Sequence, residues 1–293
     1  MKKILFTQRS DYPHWVGDGF PVRTVFSYND IAKEISPFLM LDYAGPAEFE
    51  PTQHKRGVGT HPHRGFETVT IVYDGQVEHR DSAGGGGVIG PGDVQWMTAA
   101  SGLVHQEYHG KEFAAKGGRF EMVQLWVNLP KKFKMTAPRY QGITSAQIPV
   151  VNFENNNGHL RVIAGEYADI AGPTKTFSPI NMWDIRLKAG SKINLKVPAD
   201  HTSTLFVLSG QVTASESHKL TEAELAVFEK DGDSISLFAH EDTKLLYLGG
   251  EPLNEPVVGY GPFVMNTQAE IMQAMLDYEA GKMGVINNIE GSD

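Results

Sequence analysis

The sequence predicts an all-β protein, built as two copies of one sandwich or barrel fold, with a short helix near the C-terminal end. Three observations predict it. Short apolar runs are punctuated by turn residues, with 31 glycines and 16 prolines among 293 residues. Long helical periodicity is scarce, which is the pattern of short strands joined by tight turns. One stretch of the first half is echoed in the second. Val69-Thr-Ile-Val-Tyr-Asp-Gly-Gln-Val-Glu78 and Thr204-Leu-Phe-Val-Leu-Ser-Gly-Gln-Val-Thr213 share strand, Xaa-Gly turn and Gln-Val, at an offset of 135 (210 − 75).

Taken in order, Phe66 to Tyr73 is rich in β-branched and aromatic residues and reads as a strand. Asp74-Gly75 supplies a two-residue hairpin turn, and Gln76 to Asp81 returns as the partner strand. Gly84 to Gly87 reads as a flexible loop, without the helix, Lys and Ser/Thr that a phosphate-binding loop needs. Gly90-Pro91-Gly92-Asp93 turns into a strand at Val94 to Thr98, and Phe120 to Asn128 is another, with Val123, Leu125 and Val127 on one face. Leu129 to Gln147 is richer in Lys, Pro and polar residues and reads as an inter-domain crossing. Two domains are expected, 1–135 and 136–293. At the C-terminal end Thr267-Gln-Ala-Glu270 forms a capping box. Ile271, Ala274, Met275 and Tyr278 give a helical stripe, and Gly281 stops it. A helix this short must pack on the body of the protein, and the tail from Gly284 on is expected to fray.

Composition removes several classes of function. A net charge of −9 repels phosphate backbones, so direct nucleic-acid binding is not expected. The absence of cysteine removes disulfides, thiolate metal sites and cysteine nucleophiles together. The apolar run of Met1-Lys-Lys-Ile-Leu-Phe stops at Phe6, and no run approaches the ~18 residues of a membrane span. A cytoplasmic protein with no membrane contact is expected.

Two short motifs carry the chemistry: His61-Pro62-His63 and His105-Gln106-Glu107. Residues i and i+2 of a strand share a face, so each motif offers two ligand-type side chains to one side. Two such strands meeting in a barrel would bring three imidazoles and one carboxylate to one point, a set suited to a mid-row divalent metal. Glu107 is the preferred carboxylate. Glu67, on the parity of His61 and His63, is a rival that could instead pair with Arg64 or Arg80. His109 shares the parity of His105 and Glu107, but its place at the strand end suggests exposure or a supporting role. Arg64, Phe66, Gln95, Trp96 and Met97 flank the site in sequence; for Phe66 and Trp96 plain barrel core is the favoured reading. At the offset of 135, His61 and His63 fall on Lys196 and Pro198 (61 + 135 and 63 + 135), so the second copy lacks the ligands. His159, His201, His218 and His240 stand isolated there.

His61-Pro-His-Arg-Gly-Phe-Glu-Thr-Val-Thr70, Gly90-Pro-Gly-Asp-Val-Gln-Trp-Met-Thr-Ala99 and Gly102-Leu-Val-His-Gln-Glu107 together resemble the pirin family. Gly250-Glu-Pro-Leu-Asn-Glu-Pro-Val-Val258 and Gly261-Pro-Phe-Val-Met-Asn266 are similar to that family's C-terminal half. The resemblance implies a bicupin: two antiparallel jelly-roll barrels, an N-terminal metal-binding one (1–135) and a C-terminal one without ligands (136–293) that carries the helix. It implies His61, His63, His105 and Glu107 as ligands of one divalent metal, Fe(II) first, with Cu, Mn, Co, Ni or Zn as alternatives. The general cupin spacing is imperfect here, with Lys55 where a motif glycine would stand.

The resemblance allows two activities. The leading one is a quercetin 2,3-dioxygenase-like oxidoreductase acting on a flavonol-like molecule and O2, with Glu107 as ligand and as general base for the 3-hydroxyl proton. The alternative is a redox-sensing regulator that binds a protein partner, a transcription factor or a metabolic enzyme. Silent metal storage is a third reading.

Overall fold

The structure, a computed structural model, describes residues 1–215 and 218–286. The strands in chain order begin with β1 (Ile4–Arg9), β2 (Pro13–Val16), β3 (Phe20–Ser27), β4 (Phe38–Phe49), β5 (Gly57–His63), β6 (Phe66–Asp74), β7 (Val77–Asp81) and β8 (Gly86–Ile89). They continue with β9 (Val94–Thr98), β10 (Leu103–His109), β11 (Gly118–Asn128), β12 (Arg139–Ile143), β13 (Val150–Asn152), β14 (Gly158–Ala164), β15 (Glu166–Tyr167) and β16 (Ile170–Ala171). Next come β17 (Ile180–Leu187), β18 (Lys192–Lys196), β19 (Thr202–Ser209), β20 (Val212–Ala214), β21 (His218–Leu220) and β22 (Glu224–Phe228). The last are β23 (Ser234–Ala239), β24 (Thr243–Gly250), β25 (Val258–Tyr260) and β26 (Phe263–Met265). Among the described residues three α-helices interrupt them: α1 (Tyr28–Ile35), α2 (Lys111–Lys116) and α3 (Gln268–Glu279). Among the described residues no helix is long and apolar enough to cross a membrane.

Two antiparallel barrels account for most of these strands. The first sets a seven-stranded sheet, β12-β9-β6-β11-β4-β3-β2, against a four-stranded sheet, β5-β10-β7-β8. The second sets β1-β22-β19-β24-β17-β14-β13 against β18-β23-β20-β21. Strand for strand the two orders match: β6 corresponds to β19, β11 to β24, β10 to β23 and β5 to β18. The echo in the sequence is therefore a repeat of the whole topology, with the hairpin at Gly75 (φ +85°) mirrored at Gly210 (φ +87°). A residue with a Cβ is strained at such angles, so glycine sits at both turns.

The compact units are interleaved in sequence. One comprises Pro13–Arg23, Asp42–Ser145 and the chain from Glu255; the other comprises Met1–Tyr12, Thr24–Leu41 and Ala146–Asn254. Reading along the chain divides it once, at 135/136, whereas strand pairing assigns the ends crosswise. β1 adds to the β22 edge of the second barrel, Ile4 opposite Phe228 and Arg9 opposite Glu224. The C-terminal stretch joins the first.

The capping box forms as read: Thr267 accepts from the backbone N–H of Glu270, and Glu270 Oε2 accepts from the backbone N–H of Asn266 at 3.0 Å. The buried face of α3 is rotated from the expected stripe. Ile271, Ala274 and Asp277 are buried, whereas Met275 and Tyr278 are exposed. Ile271 and Ala274 pack with Val104, Phe263, Met265 and Met283. Asp277 turns inward because Arg64 Nη1 donates to its Oδ2 at 2.9 Å. Gly281 (φ +72°) follows the last turn. Of the tail expected to fray, 287–293 lie outside the described residues. The glycine run is only partly a loop, since Gly86 and Gly87 pair in β8 with Arg80 and His79.

Candidate metal centre

β10 lies between β5 and β7, and this placement builds the site. His105 stands opposite His61 on one side and Asp81 on the other; Glu107 stands opposite His79. A register shift between β10 and β5 falls between His105 and Glu107. His61, His63 and His105 come together with ligand nitrogens within 4.8 Å of one another, and their ring centroids are 4.2–5.0 Å apart. An overlapping group, His79, His105 and Glu107, meets the same 4.8 Å limit. The structure thus gathers the three expected imidazoles and sets Glu107 beside His105. It adds His79, which reading the sequence missed. The signal was there: His79-Arg-Asp81 is a third i, i+2 pair, on a strand the hairpin already revealed.

The hydrogen bonds say which nitrogens are available. His61 Nδ1 lies 2.8 Å from the carbonyl of Gly59, and His63 Nδ1 lies 3.3 Å from the carbonyl of Pro262. A carbonyl only accepts, so both rings carry their proton on Nδ1 and leave Nε2 as a lone pair. His105 Nε2 is buried and has no hydrogen-bond partner. A buried polar atom without a partner is costly, and a cation at this position would satisfy it. Burial, reinforced by the neighbouring imidazoles, lowers His63 to about 3 and holds His105 well below its ordinary value. Both rings are therefore neutral at physiological pH, the form in which imidazole ligates a metal. The donor set fits a divalent ion.

Glu107 is buried and held at both oxygens: Gln95 Nε2 donates to Oε1 at 3.2 Å and Gln124 Nε2 to Oε2 at 3.3 Å. Gln95 Oε1 in turn accepts from the Tyr140 hydroxyl at 3.3 Å. Burial pushes the Tyr140 phenol up to about 12, so it stays a donor. Tyr140 lies on β12, within the segment read as an inter-domain crossing, and pairs with Met97 in the first barrel's sheet. Gln124 and Trp126 occupy the face of β11 opposite Val123, Leu125 and Val127. Trp126, half-buried, packs on Phe66 at 4.3 Å and on His63 at 5.3 Å between ring centroids.

The other candidates resolve differently. Glu67 is buried apart from the histidines, accepting from Thr98 Oγ1 at 2.6 Å with Arg139 at 4.0 Å; it pairs with neither Arg64 nor Arg80. Burial raises its carboxyl to about 7, against the pull of those two partners. His109 is buried rather than exposed: Nε2 donates to the Gly19 carbonyl at 2.8 Å, and the ring sits among Phe20, Phe49, Phe113 and Phe120. Trp96 and Met97 are fully buried, and Arg64 ties β5 to α3. Among the described residues, both groups of three or more His, Asp or Glu within ligating range lie in the first barrel.

Comparison with known proteins agrees with this architecture. The pirin family model matches residues 19–127, and the model of the pirin C-terminal cupin domain matches residues 182–284. The chain belongs to the pirin family. Among its relatives, a Pseudomonas aeruginosa protein named "Putative quercetin 2,3-dioxygenase" is 55% identical over 282 residues, 96% of this chain and 98% of its own. "Pirin-like protein 2" of Arabidopsis thaliana is 40% identical over 92% of this chain and 81% of its own. A crystal structure titled quercetin 2,3-dioxygenase from Acinetobacter baumannii superposes with a TM-score of 0.95 at 55% identity, covering 98% of this chain and 100% of that one.

Proposed function

We propose that this pirin is a metal-dependent dioxygenase that opens the heterocycle of flavonols, with His61, His63, His105 and Glu107 holding one divalent ion, Fe(II) by preference. The observation that carries the reading is the buried, unpartnered Nε2 of His105, set beside His61 and His63. Held by these residues, the ion would supply Lewis acidity and a template for the flavonol. The relatives named for quercetin 2,3-dioxygenase support the substrate class.

The chain's own groups divide the remaining work. Trp126, half-buried and backed by the fully buried Phe66, offers a flat aromatic surface beside His63, suited to a planar ring system. Glu107 serves as the general base for the 3-hydroxyl proton. Oε2 is the receiving atom, because its partner Gln124 is half-buried and can turn its amide to present the carbonyl. Gln95, tied to Tyr140, keeps Oε1 in place meanwhile.

The test is direct. The metal-free chain is loaded in turn with Fe(II), Cu(II), Mn(II), Co(II), Ni(II) or Zn(II), then mixed with quercetin in air. Loss of the flavonol absorbance with release of carbon monoxide is expected for at least one metal. Its absence with all six would overturn the reading and favour a regulator that binds a protein partner. Glu107→Gln that kept both metal and full turnover would remove the base role alone.

A further inference from the structure

Beyond the four proposed ligands, we infer that His79 is a positioning residue, holding His105 in the tautomer that leaves its buried Nε2 free for an ion shared with His61 and His63. The inference rests on the metal reading above and extends it outward by two residues.

One assignment of protons matches these contacts and leaves His105 Nε2 open to a metal. Asp81 Oδ1 accepts two backbone N–H groups, from Ala83 and Gly85, each at 2.8 Å. Its Oδ2 lies 3.2 Å from His79 Nε2. A carboxylate already used as a double acceptor takes a further donor, so His79 carries its proton on Nε2. With its one proton on Nε2, the His79 ring offers Nδ1 as a lone pair. It lies 3.3 Å from Nδ1 of His105, and two lone pairs cannot face each other at that distance. His105 must therefore donate from Nδ1, which leaves Nε2 free, the atom found buried and unpartnered. The proton order runs from Asp81 through His79 to His105.

The surroundings hold this chain in place. His79 is fully buried, and Tyr140 stacks on its face at 5.2 Å and 14°. Gly85 allows the approach, since a Cβ there would meet Asp81 Oδ2 at 2.4 Å and Tyr140 Cβ at 2.6 Å. The glycine run thus serves the site by cradling Asp81. Partners of this kind fix ring orientation and ligand basicity, and losing one typically costs 10–100-fold in metal affinity.

Three variants of the full chain test it, each titrated with Co(II) and followed by its visible ligand-field bands and by equilibrium dialysis. Asp81→Asn keeps the Oδ1 acceptor for the loop but turns Oδ2 into a donor, which reverses the proton order. His79→Leu removes the acceptor, and His79→Asn keeps an acceptor at the δ position. Asp81→Asn and His79→Leu are expected to bind Co(II) about 10–100-fold more weakly with shifted bands, while His79→Asn recovers most of the affinity and the wild-type bands. Far-UV circular dichroism checks that all three fold. Wild-type binding left unchanged by Asp81→Asn and His79→Leu would overturn this inference alone. So would a His79→Asn as weak as His79→Leu, or a second Co(II) equivalent lost with His79. A wild-type chain that takes up no Co(II) would overturn the metal reading and this one with it.

Discussion

The two barrels share a topology and differ in what fills them. Matching β10 to β23 and β7 to β20 by their ladders sets His79 against Ala214, His105 against Ile235 and Glu107 against Leu237. The β5 and β18 ladders set His61 against Leu195, and hence His63 against Val197. In the facing sheet Gln95 matches Ala226 and Gln124 matches Tyr247. All seven counterparts belong to one apolar cluster. The second barrel shows what the fold prefers when stability alone decides. The first gives up that packing over one end of its interior for imidazoles, amides and a carboxylate that need each other as partners. Its other end, around Phe20, Val72, Phe113 and Phe120, stays apolar.

The contrast can be broken at several points. His105→Leu gives the first barrel the character of the second. It should abolish metal uptake and flavonol turnover while moving the urea midpoint little, because the unpartnered Nε2 is removed but His79 Nδ1 loses its donor. A fall in stability with metal uptake intact would contradict the site. Leu237→Ala makes the converse change, opening a cavity at the position that matches Glu107. A loss of about 2–5 kcal/mol by urea unfolding is expected, with Co(II) affinity unaltered.

Glu67, whose counterpart is Thr202, gives a pH test. Its folded carboxyl titrates at about 7, above the ordinary 4.5. Between those values the folded chain keeps a proton that the unfolded chain has lost, so stability falls as pH rises from about 4.5 through about 7. Glu67→Gln removes the dependence. Measured by urea unfolding, it should gain on the wild type by about 3 kcal/mol between pH 4 and pH 8. A difference that stays flat would mean that Arg139 keeps Glu67 ionised throughout. The smallest effect is expected at the cap of α3, where Thr267→Ala should cost about 1 kcal/mol in the same assay.

What was legible in the sequence was local. The hairpin at Asp74-Gly75, the paired parity of His61 with His63 and of His105 with Glu107, and the capping box of Thr267 and Glu270 depend on neighbours within a few residues. What was not legible depends on which strands lie side by side. His79 becomes part of the site only because β10 separates β5 from β7. Gln95 flanks the site in sequence, but Gln124 and Tyr140 look like ordinary polar residues until β11 and β12 bring them beside Glu107 and Gln95. The match of His61 and His63 to Lys196 and Pro198 slipped by one residue, because the run from Val197 to His201 is one residue longer than the matching run from His63 to Phe66. In a strand one residue reverses the face, and the inward positions are Leu195 and Val197, with Lys196 exposed. The buried stripe of α3 was misjudged because Arg64, more than two hundred positions earlier, draws Asp277 inward.

The bond between His63 Nδ1 and the carbonyl of Pro262 joins positions 199 apart. A growing polypeptide therefore exposes its histidine pairs long before the group that orients one of them has been synthesised. Uptake of the proposed ion in its final arrangement would wait until translation has passed Pro262, and a fragment cut after the first eleven or twelve strands would carry the proposed ligands while lacking that brace.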